Sequence, residues 1–211
     1  MLRIWGRKTS SNVQKVLWLC DEIGVPFERI EAGGSFGRVN DPDYRAMNPN
    51  GRVPTIEDDG FVLWESNTIC RYLASKHAAH AIYPPQLQAR ADVERWMDWG
   101  STTLGPALHQ AFWGLARTPA QQRDNPAILA SAEGTGAALA IVDARLRDRP
   151  FLCGVALTLA DIATAIHAYR WLNLPLDTAG YGRPDLPNVR RWYEALGQRP
   201  AYRKWVMIDI V

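Results

Sequence analysis

Cysteine, net charge and long apolar runs are all scarce in this chain, and each shortage excludes a class of protein. The 211 residues include only Cys20, Cys70 and Cys153, without a CxxC pair, so we expect no disulfide framework and a reducing, cytoplasmic location. Lys and Arg total 24 against 22 Asp and Glu, which predicts no nucleic-acid partner. No apolar run reaches the ~18 residues of a membrane-spanning helix, so no membrane is expected, and no His, Cys, Asp or Glu set has metal-ligand spacing.

Tryptophan, by contrast, is abundant. Nine tryptophans are spread from Trp5 to Trp205, so they form neither a repeat nor a tag, and their large amphipathic side chains suit a core, an interface or an aromatic ligand pocket. The length and the apolar fraction of 47% are those of a globular chain with one large or two small domains.

The first third of the chain alternates between strand and helix patterns. Residues 2–5 predict a short strand, the apolar residues from Val13 to Ile23 recur at helical spacing, and residues 27–31 alternate as a half-buried strand does. Strand, helix and strand in this order predict a βαβ unit whose two strands are parallel.

A hairpin and a second long helix complete this region. The apolar runs 53–56 and 61–64 flank an Asp-Asp-Gly turn, which is a strong hairpin signal, and Ser66 is predicted to be the N-cap of the next helix. The segment 33–51 that precedes them is rich in Gly, Asn and Pro and predicts a loop with one short helix near Tyr44.

Strand patterns end near residue 78, and helical windows follow a linker over 78–88 that contains two adjacent prolines. The sequence therefore predicts an α+β domain of βαβ-ββα order over 1–77 and an all-helical domain over 89–211. The predicted helical windows are 89–116, 126–147, 159–173 and 187–206.

The polar segment Ser10, Ser11 and Asn12 lies between a predicted strand and a predicted helix. A helix N-terminus presents unpaired N–H groups and a partial positive charge, so this segment is a candidate anion site. The alternative is that one serine only caps the helix.

Two further segments lie at comparable junctions. A cis peptide before Pro54 would leave the backbone of Val53 free to pair with an extended peptide, with Arg52 alongside, whereas the alternative is an ordinary edge-strand proline. Glu65 and Ser66 would attract an ammonium and a carboxylate, or else form only a cap and a solvated side chain. Together the three segments predict a pocket for a small acidic peptide that bears an anion at its centre.

Residues 48–54 (NPNGRVP) and 64–73 (WESNTICRYL) closely resemble the glutathione-binding signature of glutathione transferases, and Thr68 is a departure from it. Thr158 and Asp161 resemble the capping box of that family's helical domain. The resemblance implies a thioredoxin-like domain followed by a helical bundle in a cytosolic enzyme of the serine type, similar to bacterial theta and plant phi members. It also implies glutathione as co-substrate without a metal, a homodimer, and detoxification of small hydrophobic electrophiles, together with glutathione peroxidase activity.

The resemblance also assigns roles to individual residues. By it, Glu65 and Ser66 hold the γ-glutamyl end of glutathione, the backbone of Val53 before a cis-Pro54 pairs with the cysteinyl unit, and Arg52 approaches the peptide. Ser10 is then the catalytic serine, which stabilises the glutathione thiolate. The remaining catalytic candidates are Ser11, as the alternative serine, and Asn12.

The wall of the electrophile pocket is assigned to aromatic residues of the window 89–116. Trp99, His109, Phe112 and Trp113 are the candidates, and the alternative for each is a place in the core or an interface. Two other functions stay open. One is a glutathione-dependent disulfide reductase or isomerase, and the other is a binding or stress protein that has this fold without the chemistry.

Overall fold

The computed structural model describes residues 1–210, and its first domain is built on a four-stranded sheet of order β2-β1-β3-β4. β1 pairs in parallel with β2 and antiparallel with β3, and β3 and β4 form a hairpin. This confirms the predicted βαβ-ββα order. The strands are β1 (Leu2–Trp5), β2 (Phe27–Ile30), β3 (Thr55–Asp58) and β4 (Phe61–Trp64).

The first strand of the hairpin begins two residues later than the sequence analysis predicts, whereas the second covers 61–64 as predicted. β3 covers Thr55–Asp58 instead of 53–56, because Pro54 has no N–H to donate to a neighbouring strand. The turn is then only two residues long, and both of them, Asp59 and Gly60, have left-handed φ angles of 51° and 87°. Such backbone angles fit the right-handed twist of the two strands.

Three helices accompany the sheet, and one of them is enclosed on nearly every side. The helices are α1 (Ser11–Glu22), α2 (Pro42–Met47) and α3 (Ser66–Lys76). All eight residues from Val13 to Cys20 in α1 are buried. Even Gln14 and Lys15 are inaccessible, so α1 is a central helix of the molecule and not an amphipathic surface helix.

The second domain is entirely helical, as predicted. The window 89–116 contains two helices joined by a π-helical turn at Gly100–Leu104, and the window 187–206 is divided at Pro200, which lacks the N–H that would continue the helix. The predicted linker 78–88 is shorter by two residues because the first helix begins at Leu87. The helices are α4 (Leu87–Trp99), α5 (Gly105–Ala116), α6 (Asn125–Arg145), α7 (Leu159–Asn173), α8 (Pro187–Gly197) and α9 (Pro200–Trp205).

The last helix joins the two domains. α9 packs on α1, where the Trp18 and Tyr202 rings meet edge to face with centroids 4.8 Å apart. The Nε2 of Gln14 donates to the Trp205 carbonyl at 2.9 Å, and the Trp205 indole N–H donates to Asp21 at 2.7 Å. These contacts fix the position of α1 relative to the helical domain.

The predicted capping box at the start of α7 is present, and its acid has further partners. Asp161 accepts hydrogen bonds from the backbone N–H groups of Thr158 and Leu152, both at 2.9 Å, and from the Trp192 indole N–H at 3.0 Å. Burial raises the pKa of Asp161 to about 6, while these donors act in the opposite direction. One buried carboxylate therefore links α7, α8 and the loop before α7.

α6 is long and apolar enough to span a membrane by length and composition alone, with a mean hydropathy of 1.3. Its residues Ile128, Ala132, Leu139 and Val142 are buried in the main core, and the helix packs on α5 and α8. These contacts are those of a core helix in a helical bundle.

Candidate functional site

A cleft between the two domains contains two adjoining cavities. The arginine cavity, about 390 Å³, is lined by residues that include Arg7, Ser10, Phe112, Trp113 and Arg170. The clamp cavity, about 830 Å³, is lined by residues that include Lys15, Glu65, Ser66, Asn67 and Arg71. The residues that line both cavities are Ser11, Asn12, Arg52, Gly105, His109 and His167.

The N-terminus of α1 opens into this cleft. Ser10 is at the N-cap position, with φ −80° and ψ 124°, yet its side chain makes no capping hydrogen bond. The Gln14 N–H donates to the Ser10 carbonyl at 2.9 Å and begins the helical ladder, so the N–H groups of the preceding turn have no helical acceptor. The Ser10 hydroxyl and the helix N-terminus are therefore available to an anion, and capping does not explain this serine.

Glu65 and Ser66 lie at the start of α3, and here one expectation is wrong. Glu65, not Ser66, occupies the N-cap position, with a left-handed φ of 73°, and Ser66 is the first residue of the helix. The Ser66 hydroxyl donates to Asn12 Oδ1 at 3.2 Å instead of capping α3. This bond joins two of the predicted site segments, because Asn12 is in the first turn of α1.

The loop before β3 presents its backbone to the cleft. The Val53–Pro54 peptide is cis, as the sequence predicts. Within residues 1–210 the backbone N–H and carbonyl of Val53 have no hydrogen-bond partner. The preceding carbonyl, that of Arg52, accepts from Tyr44 Oη at 2.7 Å and from Asn48 Nδ2 at 2.9 Å. These two side chains hold the loop in place and explain why Asn48 belongs to the 48–54 motif.

Sequence analysis missed three polar residues of the clamp cavity. Lys15 is only 1% exposed, its Nζ donates to Asn67 Oδ1 at 3.3 Å, and burial lowers its pKa to about 8. Asn67 in turn donates to the Met97 carbonyl at 2.8 Å. His167 is buried with its Nε2 unpartnered, and burial lowers its pKa well below the usual value. A lysine within an otherwise apolar helical stretch was the only sequence signal.

Three of the four predicted aromatic-wall residues line the arginine cavity. His109 and Trp113 are exposed, with ring centroids 5.9 Å apart, and Phe112 is buried beside them. Trp99 does not line either cavity. It is half-buried at the end of α4, where it packs edge-on against Trp96 at 5.3 Å and lies against the hydrophobic core.

Arginines also line this cavity, and sequence analysis did not single them out. Arg170 is half-buried, donates to the Thr9 carbonyl at 2.9 Å and lies 4.3 Å from the centroid of Phe112. The guanidinium of Arg117, an exposed residue directly after α5, lies 5.3 Å from the centroid of the same ring. Arg7 lies against Gly33 and Gly34. Their positions depend on the packing of α7 and α5 against the β1–α1 loop, which no local pattern reveals.

The fold and the cleft define a class of protein in which a thioredoxin-like domain is followed by a helical bundle, with polar groups on one side of the cleft and aromatic groups on the other. The sequence matches the family models of the glutathione S-transferase N-terminal domain over residues 9–76 and of the C-terminal domain over residues 104–200.

Comparisons with full-length relatives agree with these family matches. The chain is 42% identical to glutathione S-transferase GstB of Escherichia coli (strain K12), with 100% of both chains covered. It is 32% identical to glutathione S-transferase 3 of Zea mays, covering 97% of this chain and 93% of that protein. The theta class glutathione S-transferase of Xanthomonas axonopodis pv. citri, solved with glutathione bound, superposes with a TM-score of 0.93 at 44% identity, covering 100% of this chain and 99% of that one. This chain belongs to the glutathione S-transferase family. It is an enzyme, and glutathione is its substrate.

Proposed function

We propose that the chain activates the glutathione thiol as a thiolate and transfers it to small hydrophobic electrophiles. In this proposal the γ-glutamyl end of glutathione binds Glu65 and Ser66 in the clamp cavity. The cysteinyl unit pairs with the free backbone of Val53, and Arg52 faces the rest of the peptide. The sulfur then lies at the start of α1, where the two cavities adjoin.

The uncapped Ser10 at the N-terminus of α1 is the observation that carries this proposal. A free thiol has a pKa near 8.5, so little of it is nucleophilic at neutral pH. A hydroxyl donor and a helix N-terminus both favour the thiolate. Lowering the thiol pKa by about 2 requires about 2.7 kcal/mol of preferential stabilisation. Ser10 acts as a hydrogen-bond donor and keeps its proton.

The transfer itself is a nucleophilic substitution or addition. The thiolate sulfur forms a bond to the electrophilic carbon, and in a substitution the leaving group departs with its electron pair. His109, Phe112 and Trp113 supply the wall against which the electrophile packs. With a hydroperoxide as electrophile, the same thiolate attacks the terminal oxygen, the O–O bond breaks, and the alkoxide leaves and is protonated to the alcohol. The glutathione sulfenic acid formed then condenses with a second glutathione to give glutathione disulfide and water, which is the peroxidase reaction we include in the proposal.

The chain's own cysteines argue against a disulfide reductase that uses a protein thiol. Burial raises the pKa of Cys70 to about 12, and that of Cys20 still further. Burial also raises the pKa of Cys153 to about 12. Thiols held protonated in this way are poor nucleophiles. We further propose, from the family resemblance, that the enzyme is a cytoplasmic homodimer that serves detoxification.

The test is a pH titration of the thiolate absorbance of bound glutathione, with Ser10→Ala and the neighbouring Ser11→Ala as a matched pair. We expect bound glutathione to titrate about 2 pH units below free glutathione in the wild type and in Ser11→Ala. Ser10→Ala should bind glutathione with a similar Kd but return its thiol pKa to near 8.5.

Two results would change the proposal. If Ser11→Ala loses the shift and Ser10→Ala keeps it, the activating hydroxyl is that of Ser11. If wild-type protein binds glutathione without any shift, the enzyme does not activate the thiol by lowering its pKa, and the thiolate part of the proposal fails.

A further inference from the structure

Three arginines surround the aromatic wall of the arginine cavity. The guanidinium groups of Arg117 and Arg170 lie 5.3 Å and 4.3 Å from the centroid of the Phe112 ring. Arg7 lies across the cavity over Gly33 and Gly34. The three groups come from the β1–α1 loop, the end of α5 and α7, so the folded chain brings them together from distant positions in the sequence.

Among the residues that the structure describes, no acidic side chain lines this cavity to balance the charge. Four arginines and two histidines line the arginine cavity, and no Asp or Glu is among its described lining residues. Within residues 1–210, no salt bridge is formed by Arg7, Arg117 or Arg170. Most other arginines of the helical domain either form a salt bridge or donate hydrogen bonds to backbone carbonyls. Burial and the neighbouring arginines lower the pKa of Arg170 to about 10, so its environment is short of negative charge.

Guanidinium groups without an acidic partner attract anions, and a ligand that binds in this cavity can supply the missing counter-charge. Glutathione binds in the clamp cavity under the proposed function, on which this inference rests, and its carboxylates are then accounted for by Ser66 and Arg52. The charge around Phe112 lies in the arginine cavity, which also contains Ser10 and the proposed wall for the electrophile.

We infer that Arg7, Arg117 and Arg170 form an anion subsite, and that the preferred electrophiles are aromatic molecules that carry a carboxylate or a similar anionic group. The ring packs on Phe112 and Trp113, and the anionic group is held by the guanidinium groups through charge-assisted hydrogen bonds. The electrophile pocket is therefore selective for charge as well as for apolar surface.

A matched pair of substrates tests this directly. In 4-chloro-3,5-dinitrobenzoate and its carboxamide, the glutathione thiolate attacks the chlorine-bearing carbon, a C–S bond forms, and chloride leaves with the C–Cl electron pair. The two differ in charge and hardly in size. Each kcat/KM is divided by the rate constant of the uncatalysed reaction with free glutathione, which removes their different intrinsic reactivity.

Arg117→Gln is the informative variant, because Arg117 is exposed and donates only to the adjacent Ala116 carbonyl. We expect wild-type protein to prefer the carboxylate, and Arg117→Gln to lose about tenfold of that preference through the carboxylate's kcat/KM alone. Arg117→Lys should keep most of the preference. Arg190→Gln, at an exposed residue paired with Asp185, is the control and should match the wild type.

A measurement of ligand binding without the transfer reaction distinguishes a failure of this inference from a failure of the proposed function. With S-methylglutathione in place of glutathione, calorimetry should show that Arg117→Gln binds unreactive 3,5-dinitrobenzoate about tenfold more weakly, with 3,5-dinitrobenzamide unchanged. If the carboxamide is conjugated but Arg117→Gln leaves the preference and this binding intact, the anion subsite is refuted and the transferase stands. If neither substrate is conjugated, the proposed function fails, and the binding result alone decides the subsite. A weakened Kd for glutathione itself in Arg117→Gln would place this arginine in the clamp and overturn the inference.

Discussion

Replacing Lys15 with methionine should stabilise the protein and weaken its binding of glutathione. Lys15 is 1% exposed in the middle of α1, and its ammonium has one hydrogen bond, to Asn67 at 3.3 Å. Within residues 1–210 it forms no salt bridge with a carboxylate. Burial lowers its pKa from 10.5 to about 8. That difference is equivalent to about 3 kcal/mol by which the folded state disfavours the charged lysine.

The sign of the pH dependence follows from this direction. At pH 7 the lysine is protonated in both states, so the folded state bears the whole cost. Between pH 8 and pH 10.5 the folded protein loses the proton first, and the unfolded chain binds more protons. The contribution of Lys15 to stability therefore rises with pH across this window. Methionine removes both the cost and the pH dependence, at a similar side-chain volume.

Urea unfolding of wild type and Lys15→Met at pH 7 and pH 10 measures both effects. We expect the variant to be more stable by about 1–3 kcal/mol at pH 7, after the lost bond to Asn67 is allowed for, and by about 1 kcal/mol or less at pH 10. Lys8→Met, at an exposed lysine, is the control and should change stability by less than about 0.5 kcal/mol. A variant that is less stable than wild type at pH 7 would refute the reasoning.

The affinity of Lys15→Met for glutathione should fall although its stability rises. The clamp cavity lined by Lys15 receives the γ-glutamyl carboxylate in the proposed function, so the buried cation attracts the ligand. Loss of about 1.4 kcal/mol of this attraction would weaken binding about tenfold, measured by calorimetry at pH 7. An unchanged Kd would show that Lys15 has no part in binding and that its charge is a cost without a function.

Two further predictions concern single buried hydroxyl and carboxyl groups. Ser66→Ala should weaken glutathione binding about tenfold, because a charge-assisted hydrogen bond is lost, and it should leave kcat at saturating glutathione unchanged; an unaltered Kd in calorimetry would contradict the clamp. Asp161→Ala should lower the free energy of unfolding by about 3 kcal/mol or more in urea titrations, because three buried donors, including the Trp192 indole, lose their acceptor. A loss below about 1 kcal/mol would show that water replaces the carboxylate.

The fold was largely predictable because its signals are local. The alternation in residues 27–31, the helical spacing after Ser10 and the hairpin signal before Phe61 each follow from a few neighbouring residues. Local patterns missed the start of β3, which depends on the backbone N–H that Pro54 lacks. The π-helical turn at Gly100–Leu104 also has no sequence signal of its own, since its residues are compatible with the continuous helix that was predicted.

The residues of the site also divide into those that local sequence patterns identified and those that they missed. Ser10, Val53 and Glu65 each lie at an element terminus, where the sequence shows which backbone groups lack partners, and the structure places all three along one cleft. Trp99 was grouped with the pocket wall because a tryptophan in a helix has the same spacing whether it faces a core or a ligand, whereas the structure packs it against Trp96. Lys15 and Arg170 were missed because the burial of Lys15 and the contact of Arg170 with the Thr9 carbonyl are determined only by the tertiary structure.

α1 connects these observations, because the proposed thiolate site, the buried lysine and the contact with the helical domain all lie on this one helix. Its N-terminus faces the cleft, Lys15 lies in its middle, and Trp18 and Asp21 near its C-terminus are held by α9 from the other domain. Arg170 of α7 also donates to the Thr9 carbonyl, just before Ser10. The position of the Ser10 hydroxyl is therefore set from both domains, so the geometry that favours a thiolate requires the docked helical bundle and is not a property of the thioredoxin-like domain alone.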